Sequence, residues 1–312
     1  MAERLLEKAK GMRYQDGHAL FAGVWHPDMF TDKLRNLEIY KDDVYFTGYM
    51  RSGTYIGLEL VQLVLNNADI EYMYTTSVHE RESHLLISRD VLVTGKLGPF
   101  DYGESPIPWL TNRKPPRIFK THGLYEYAPY GVRQGQCKIV VQTRNPKSTY
   151  LSWYKILKES MSVHFPDITW EDFFAAAISG EGKHLILSSW FDFYLTWWKH
   201  RDHLDVYFLN YEAMFKDGRK VAKELAYFFG RTLTEEQITK ILKYIDFEEC
   251  KKNPTFSNVF KGMTALKGSP GHMRKGKIDD WKNYFTVAES EQFDKLYKEK
   301  MEGSGFPEPV YE

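Results

Sequence analysis

Three features of the chain predict an α/β fold, one domain over residues 1–312 with a central parallel sheet flanked by helices. Apolar β-type runs alternate with helical patterns, the order that builds a parallel sheet covered on both faces. The runs stop abruptly on charged or hydroxyl-bearing residues, as strands do where their carboxyl ends line a ligand crevice. The first of them feeds a small-residue turn and then an apolar helix. At 312 residues the chain is longer than a usual domain, but α/β enzymes of this size fold as one.

Val44–Thr47 is the first predicted strand, and it passes through Gly48-Tyr-Met-Arg51-Ser52-Gly53-Thr54-Tyr55 into a helix running from Leu58 to Leu65. Such a turn aims backbone N–H groups, Arg51, Ser52 and Thr54 at one spot, where the helix N-terminus adds partial positive charge. The spot suits an anion. Residues 95–116, rich in Gly, Pro and turn formers, read as a long loop before the strand Arg117–Thr121, whose end projects Lys120 and His122 from the sheet edge. The third strand, Ile139–Thr143, ends in Arg144, turns at Asn145-Pro146 and enters a helix that brings Ser152 round. Pro146 fits a helix start, where its missing N–H costs nothing. Arg144 and Ser152 are then placed to grip a second anion with a bidentate fork and a hydroxyl.

Glu171–Ile178, Ser189–His200, Arg219–Phe229 and Glu235–Tyr244 carry apolar residues at helical spacing, and Val206–Asn210 reads as the fourth strand. The pairs Trp197-Trp198 and Phe228-Phe229 read as core. Residues 255–276 form a second long loop, with Gly262, Gly268, Pro270 and Gly271. Loops of this length beside a site often act as lids.

Composition narrows the function. Basic and acidic residues balance at 42 each, so no broad field attracts nucleic acid or an anionic membrane, and any anion site is local. The two cysteines, Cys137 and Cys250, are too few for a disulfide framework or a zinc cluster. No run approaches the ~18 apolar residues of a membrane span, and the acidic start Met-Ala-Glu-Arg-Leu-Leu-Glu-Lys lacks the apolar centre of a signal peptide, so a cytoplasmic location is expected. His79, Glu80 and Glu82 lie close in sequence but read as a solvated face, and no metal is expected.

On these motifs the chain resembles the cytosolic sulfotransferase family, which moves a sulfuryl group from 3′-phosphoadenosine 5′-phosphosulfate (PAPS) to an acceptor and releases adenosine 3′,5′-bisphosphate (PAP). The family's phosphosulfate loop, Tyr-Pro-Lys-Ser-Gly-Thr-Thr-Trp, aligns with Tyr49 to Ile56. Lys120-Thr-His122 matches the segment of the catalytic histidine, and Arg144 with Ser152 matches the grip on the 3′-phosphate. Tyr207-Phe-Leu-Asn-Tyr211 resembles the strand whose tyrosine lies beside the adenine. Phe247-Glu-Glu-Cys-Lys-Lys-Asn-Pro254 resembles Phe-Lys-Glu-Met-Lys-Lys-Asn-Pro, and Arg274-Lys275-Gly276 is similar to the loop that closes on the 3′-phosphate. The likeness runs from about residue 12 to about residue 301.

The resemblance implies a cofactor site of Arg51, Ser52, Gly53, Thr54, Tyr55, Arg144, Ser152, Tyr211, Phe247, Arg274, Lys275 and Gly276. It implies an acceptor site of Phe30, His84, His122 and Ile156, taking a phenol, alcohol, steroid or amine. His122 is expected as general base, because an acceptor hydroxyl is a poor nucleophile until its proton is withdrawn. Arg51, Lys120 and the turn amides are expected to hold the charge that develops on the departing phosphate. Lys282-Asn-Tyr-Phe-Thr286-Val287-Ala-Glu-Ser-Glu291 resembles the family's dimer segment Lys-x-x-x-Thr-Val-x-x-x-Glu, which implies a homodimer through residues 282–291.

Three departures stand out. Arg51 replaces the loop lysine and cannot give up a proton, which leaves leaving-group protonation to Lys120 or water. Tyr55 and Ile56 replace a threonine and the adenine-stacking tryptophan, so that Tyr55 is a candidate to substitute in the stack. Ser83-His84-Leu85-Leu86 replaces the family's Pro-(Phe/Trp)-(Leu/Val)-Glu, setting a polar His84 where relatives carry an aromatic gate. The first two leave room for a different reading, a regulatory protein that binds PAPS or PAP without turnover. A P-loop kinase is disfavoured, since the turn lacks the Gly-Lys-Ser/Thr ending that serves a nucleotide triphosphate and magnesium.

Overall fold

The structure, a computed structural model of the chain, describes residues 12–15, 18–21, 26–85, 103–159, 165–179, 188–257 and 278–311. Five parallel strands form the central sheet in the order β4-β5-β3-β6-β7: β3 is Val44–Gly48, β4 Ser83–His84, β5 Ile118–Thr121, β6 Lys138–Thr143 and β7 Val206–Asn210. A separate antiparallel hairpin pairs β1, Met12–Gln15, with β2, His18–Phe21. The four strands expected from apolar runs are all present. The two-residue edge strand β4 and the hairpin were not expected, because β4 is too short and polar to show alternation.

Strand alternation divides the interior into two cores, one on each side of the sheet. Val44 and Phe46 of β3 and Val140 of β6 face the helices Thr54–Leu65, Gly218–Phe228 and Glu235–Tyr244. Tyr45, Phe119, Ile139 and Val141 face the opposite way, into an aromatic core with Trp153, Trp190 and Trp197. Trp197 is fully buried, as expected of core, whereas Trp198, Phe228 and Phe229 are half-buried.

Helix Thr54–Leu65 is buried on all sides from Thr54 to Val64, so its polar Glu59 and Gln62 need internal partners. Arg81 supplies them, with an ion pair to Glu59 at 2.9 Å and a hydrogen bond to Gln62 Oε1. Tyr244 also donates to Glu59 at 2.7 Å and in turn accepts from Asn253 Nδ2 at 2.7 Å. This network locks the helix behind the anion-binding turn to the segments that carry residues 81–84 and 247–254.

The strand order places the chemistry. The chain steps from β5 to β6 across β3, so the crevice at the carboxyl ends opens at β3, as it does at the topological switch points of open α/β sheets. Among the described residues no helix is long and apolar enough to cross a membrane, and both cysteines are free and buried.

Candidate active site

The turn after β3 is left-handed twice, at Arg51 (φ +68°) and at Gly53 (φ +83°). For arginine that conformation costs about 1–2 kcal/mol. The cost is met locally. Arg144 donates through a guanidinium N–H to the Arg51 carbonyl oxygen at 3.1 Å, and such a charge-assisted bond contributes about 1.5–3 kcal/mol. Arg51 Nε donates to Ser152 Oγ at 3.2 Å. The two anion grips expected from the sequence are therefore one connected cluster, joined through the Arg51 side chain and backbone.

Beneath this cluster Tyr211 is buried, with the Arg144 guanidinium 4.3 Å from its ring centroid. A Cβ on Gly53 would come within 2.3 Å of the Tyr211 ring, so only glycine fits there. Tyr211 is thus a strut under the turn. Glu212 beside it accepts from the backbone N–H and Nδ2 of Asn145, each at 3.0 Å, which holds the turn that presents Arg144. Burial raises the Glu212 pKa, against the lowering effect of Asn145 and Arg144. Arg144 Nε is buried and finds no acceptor among the described residues, the state of a donor awaiting an anion.

The side chains of Ser52 and Tyr55 are engaged within the protein. The Ser52 hydroxyl is directed to Tyr194 at 2.8 Å, and Tyr194 donates onward to the Gln142 carbonyl oxygen at 2.8 Å. The Ser52 N–H closes the turn onto the Tyr49 carbonyl at 3.0 Å. Tyr55 is buried in the core, where its ring centroid lies 3.7 Å from Lys120 Nζ. The first helical turn offers its backbone donors to an anion. The N–H groups of Thr54, Tyr55 and Ile56 precede the first intrahelical bond, from Gly57 N–H to the Gly53 carbonyl oxygen.

The two-residue period of β5, continued one residue past Thr121, puts His122 on the face of Lys120. His122 Nδ1 lies 2.7 Å from the Gly48 carbonyl oxygen. A carbonyl only accepts, so Nδ1 carries the proton and Nε2 is left as a lone pair. Desolvation first, then the charges of Lys120 and Arg51, push the His122 pKa well below its ordinary range, against the bond to Gly48. The half-buried ring is therefore a neutral base at neutral pH.

Lys120 is fully buried, and burial brings its pKa down to about 8, opposed by the Glu82 carboxylate and assisted by Arg51. Its Nζ lies 3.0 Å from Nε2 of His84. The solvated-face reading of residues 79–82 fails at Glu82, which is buried, while Glu80 is exposed in the capping box of the short helix Val78–Arg81. His84, expected at the acceptor site, is buried against Lys120. Glu82, Gln142, Tyr194 and Glu212 support the candidate residues and are not flagged by the motifs. The spacing Glu82-x-His84 beside Lys120-x-His122 is the one signal that could have found the first of them.

Ile156 is half-buried against the aromatic core on helix Pro146–Glu159. Phe247 opens helix Phe247–Lys252, with the Lys251 ammonium 4.7 Å from its ring centroid. Phe30 ends a short 3₁₀ helix, Pro27–Phe30, and its side chain lies outside the described residues, as do Arg274, Lys275 and Gly276. The start of helix Pro146–Glu159 is clamped from below. Lys147, buried, reaches Asp294 at 2.7 Å and the Trp281 ring at 4.5 Å, and Ser148 donates to the Ile278 carbonyl oxygen at 2.6 Å. Among the described residues no group of three or more His, Cys, Asp and Glu is placed to hold a metal ion.

Residues 41–305 match the sulfotransferase domain model. This chain belongs to the sulfotransferase family. It is 30% identical over 296 residues to sulfotransferase 1E1 of Bos taurus, spanning 93% of this chain and 95% of that one. With sulfotransferase 1C2 of Rattus norvegicus it shares 31% over 274 residues, 87% of each chain. Among solved structures it is similar to mouse sulfotransferase SULT7A1 complexed with PAP, with a TM-score of 0.71 and 26% identity, covering 95% and 97% of the two chains. A retinol dehydratase in complex with retinol and PAP has the same fold, with a TM-score of 0.82 at 21% identity over 99% and 96% of the chains. The sulfotransferase fold thus extends over nearly the whole chain.

The Tyr211 strut yields a controlled test. Gly230 also has a positive φ, but nothing lies within 4 Å of a Cβ placed there. Gly230→Ala should therefore lose only the backbone part, about 1–2 kcal/mol. Gly53→Ala should lose that and a further ~1–3 kcal/mol from overpacking against Tyr211. Urea unfolding of both variants checks this, and equal losses would show that the ring does not crowd the turn.

Proposed function

We propose that this sulfotransferase moves a sulfuryl group from PAPS to a hydroxyl or amine of a small-molecule acceptor, with His122 as general base. The observation that carries this reading is the His122 tautomer, with Nδ1 committed to Gly48 and Nε2 available. The family membership and the PAP bound to the similar mouse enzyme support the nucleotide. The residues fit it. Arg144 with its buried, unsatisfied Nε suits a phosphate, as does the first helical turn at Thr54–Ile56 beside Arg51.

Bound PAPS would supply the sulfuryl group on a phosphate leaving group. The chain's own part is electrostatic and positional. His122 Nε2 takes the acceptor's proton as the new bond forms. Arg51 stays cationic at every working pH, and Lys120 is a second cation below about pH 8. Both are aimed at charge that grows in the transition state, where such interactions raise the rate. Arg144 and Ser152 instead hold a group that does not react, so their contribution is to binding.

Ligand linkage tests the nucleotide assignment. PAP at a hundredfold excess over its Kd should stabilise the fold by about 2.7 kcal/mol, read as a raised Tm, and AMP should do much less for want of a 3′-phosphate. Equal shifts would remove the role given to Arg144 and Ser152.

The base is tested by rate and by pH. His122→Ala should keep the PAP-induced Tm shift and lose at least ~10²-fold in kcat. A group whose pKa is lowered keeps its basic form down to that lower value. The wild-type kcat/KM for PAPS should therefore show no loss near the ordinary imidazole pKa of about 6.5. It should fall as pH rises through about 8, where Lys120 loses its charge. A near wild-type rate for His122→Ala would make the histidine structural.

We also propose a homodimer through residues 282–291. Thr286 caps helix Val287–Met301 in a capping box with Glu289, and Val287 at the helix start is 76% exposed. A twofold contact would cover it and set Lys282 against Glu291 of the second copy. Sedimentation at micromolar concentration should give a dimer that Val287→Glu converts to monomer, and a wild-type monomer would reject the contact.

A further inference from the structure

Lys120 is held by residues that differ from the family pattern. The strand β4 pairs in parallel with β5 so that His84 stands directly opposite Lys120. In that register, and with a two-residue period, Glu82, His84, Lys120 and His122 belong to one face of the sheet edge. The His84 and His122 rings meet edge to face, with centroids 6.1 Å apart. Tyr55 closes the other side, its ring 3.7 Å from Nζ. Tyr55 and His84 are two of the three places at which the loop and the following segment depart from relatives. The structure brings both to one ammonium group.

We propose that His84 is a positioning residue for sulfuryl transfer: its Nε2 accepts a hydrogen bond from Lys120 Nζ and holds that cation toward the reacting groups. This rests on the function proposed above. A charged lysine is a donor only, so with the ammonium the 3.0 Å contact requires the lone pair on His84 Nε2 and the proton on Nδ1. A lysine stem has much rotamer freedom, and without an anchor it would reach the cleft in many orientations. Two anchors, an imidazole acceptor and a ring face, leave its remaining N–H donors directed and available. The charged groups that bear on Lys120 are Glu82 before β4 and Arg51 from the turn after β3, while His122, just past the end of β5, is neutral and feels the Lys120 charge in turn. Glu82 favours the ammonium and Arg51 opposes it. Accepting from the charged form, His84 adds to the Glu82 side. Near pH 8 even a modest change in that balance decides whether the cation is present.

The test uses His84→Phe, which restores an aromatic residue, and His84→Gln, whose side-chain oxygen can still accept from Lys120. Two readouts are taken. One is an NMR titration of protein labelled at lysine ¹³Cε, with Lys120→Met used to assign the resonance. The other is steady-state transfer from labelled PAPS to the best acceptor in a panel of phenols, alcohols, amines and steroids. His84→Phe should move the Lys120 midpoint to lower pH by about one unit, carrying the basic limb of kcat with it. It should cut kcat about tenfold or more while KM for the acceptor and the PAP-induced Tm shift change little. His84→Gln should recover most of the rate and the midpoint. If His84→Phe leaves the midpoint and kcat unmoved and alters acceptor KM or acceptor ranking, His84 lines the acceptor pocket and the proposal is overturned. Equal damage by the two substitutions would overturn it as well. Absence of transfer by the wild-type enzyme to every acceptor would sink the proposed function, while the NMR midpoint would still decide the His84–Lys120 bond.

Discussion

The hydrogen bond from His122 Nδ1 to the Gly48 carbonyl oxygen, 2.7 Å long, joins the two halves of the site. Gly48 ends the strand that opens the anion-binding turn, and His122 follows the strand that carries Lys120. One contact therefore sets the tautomer of His122 and its place relative to the turn. Taken alone such a bond contributes about 1 kcal/mol net, too little to impose a geometry. The geometry comes from the parallel register of β3 and β5, in which Thr47 faces Thr121, so that the residues just beyond them must meet. On the other flank Gly48 faces Gln142, and Arg144 is delivered two residues later to the same edge.

That edge concentrates cations, and the structure shows how the repulsion is contained. Arg51, Arg144 and Lys120 are not packed as bare charges. The Arg144 guanidinium lies over Tyr211 and donates to the Arg51 carbonyl, Glu212 stands beside it, and Lys120 lies between the Tyr55 ring and His84 with the Glu82 carboxylate near. Left-handed backbone at Arg51 is strain stored in the turn and held by its surroundings rather than relaxed. An anion entering this cleft meets donors that are already oriented, so little reorganisation opposes binding. The buried network of Glu59, Arg81 and Tyr244 extends the same rigidity behind the turn.

The strands legible in the sequence are those with a continuous apolar run. Val206–Asn210 matches in full, and Val44, Arg117 and Ile139 lie at or within one residue of observed strand starts. The helix Glu235–Tyr244 also matches, because its apolar stripe and its Thr234 cap are both local signals. Helix Thr54–Leu65 begins earlier than the Leu58 expected from apolarity alone, since its first turn is built of Thr54, Tyr55 and Gly57. The strand β4 was invisible. Two residues, Ser83 and His84, carry no period, and only an existing neighbour strand can recruit them. Glu82 was misplaced for the same reason: a lone acid among polar neighbours reads as solvated until the strand edge that buries it is known.

What the sequence by itself determined is whatever depends on neighbours along the chain: the turn with its left-handed glycine, the proline-started helix after Arg144, and the common face of Lys120 and His122. Backbone dihedrals and the two-residue period are local properties, and motif spacing records them directly. Only the tertiary structure decided that Arg51 joins Ser152, that Tyr55 turns inward, and that His84 meets Lys120. These contacts span 101, 65 and 36 residues of chain, from 152 − 51, 120 − 55 and 120 − 84. They follow from strand register and from which side of a buried helix faces the sheet. Both are set by the packing of the two cores as a whole, where no short motif holds the information.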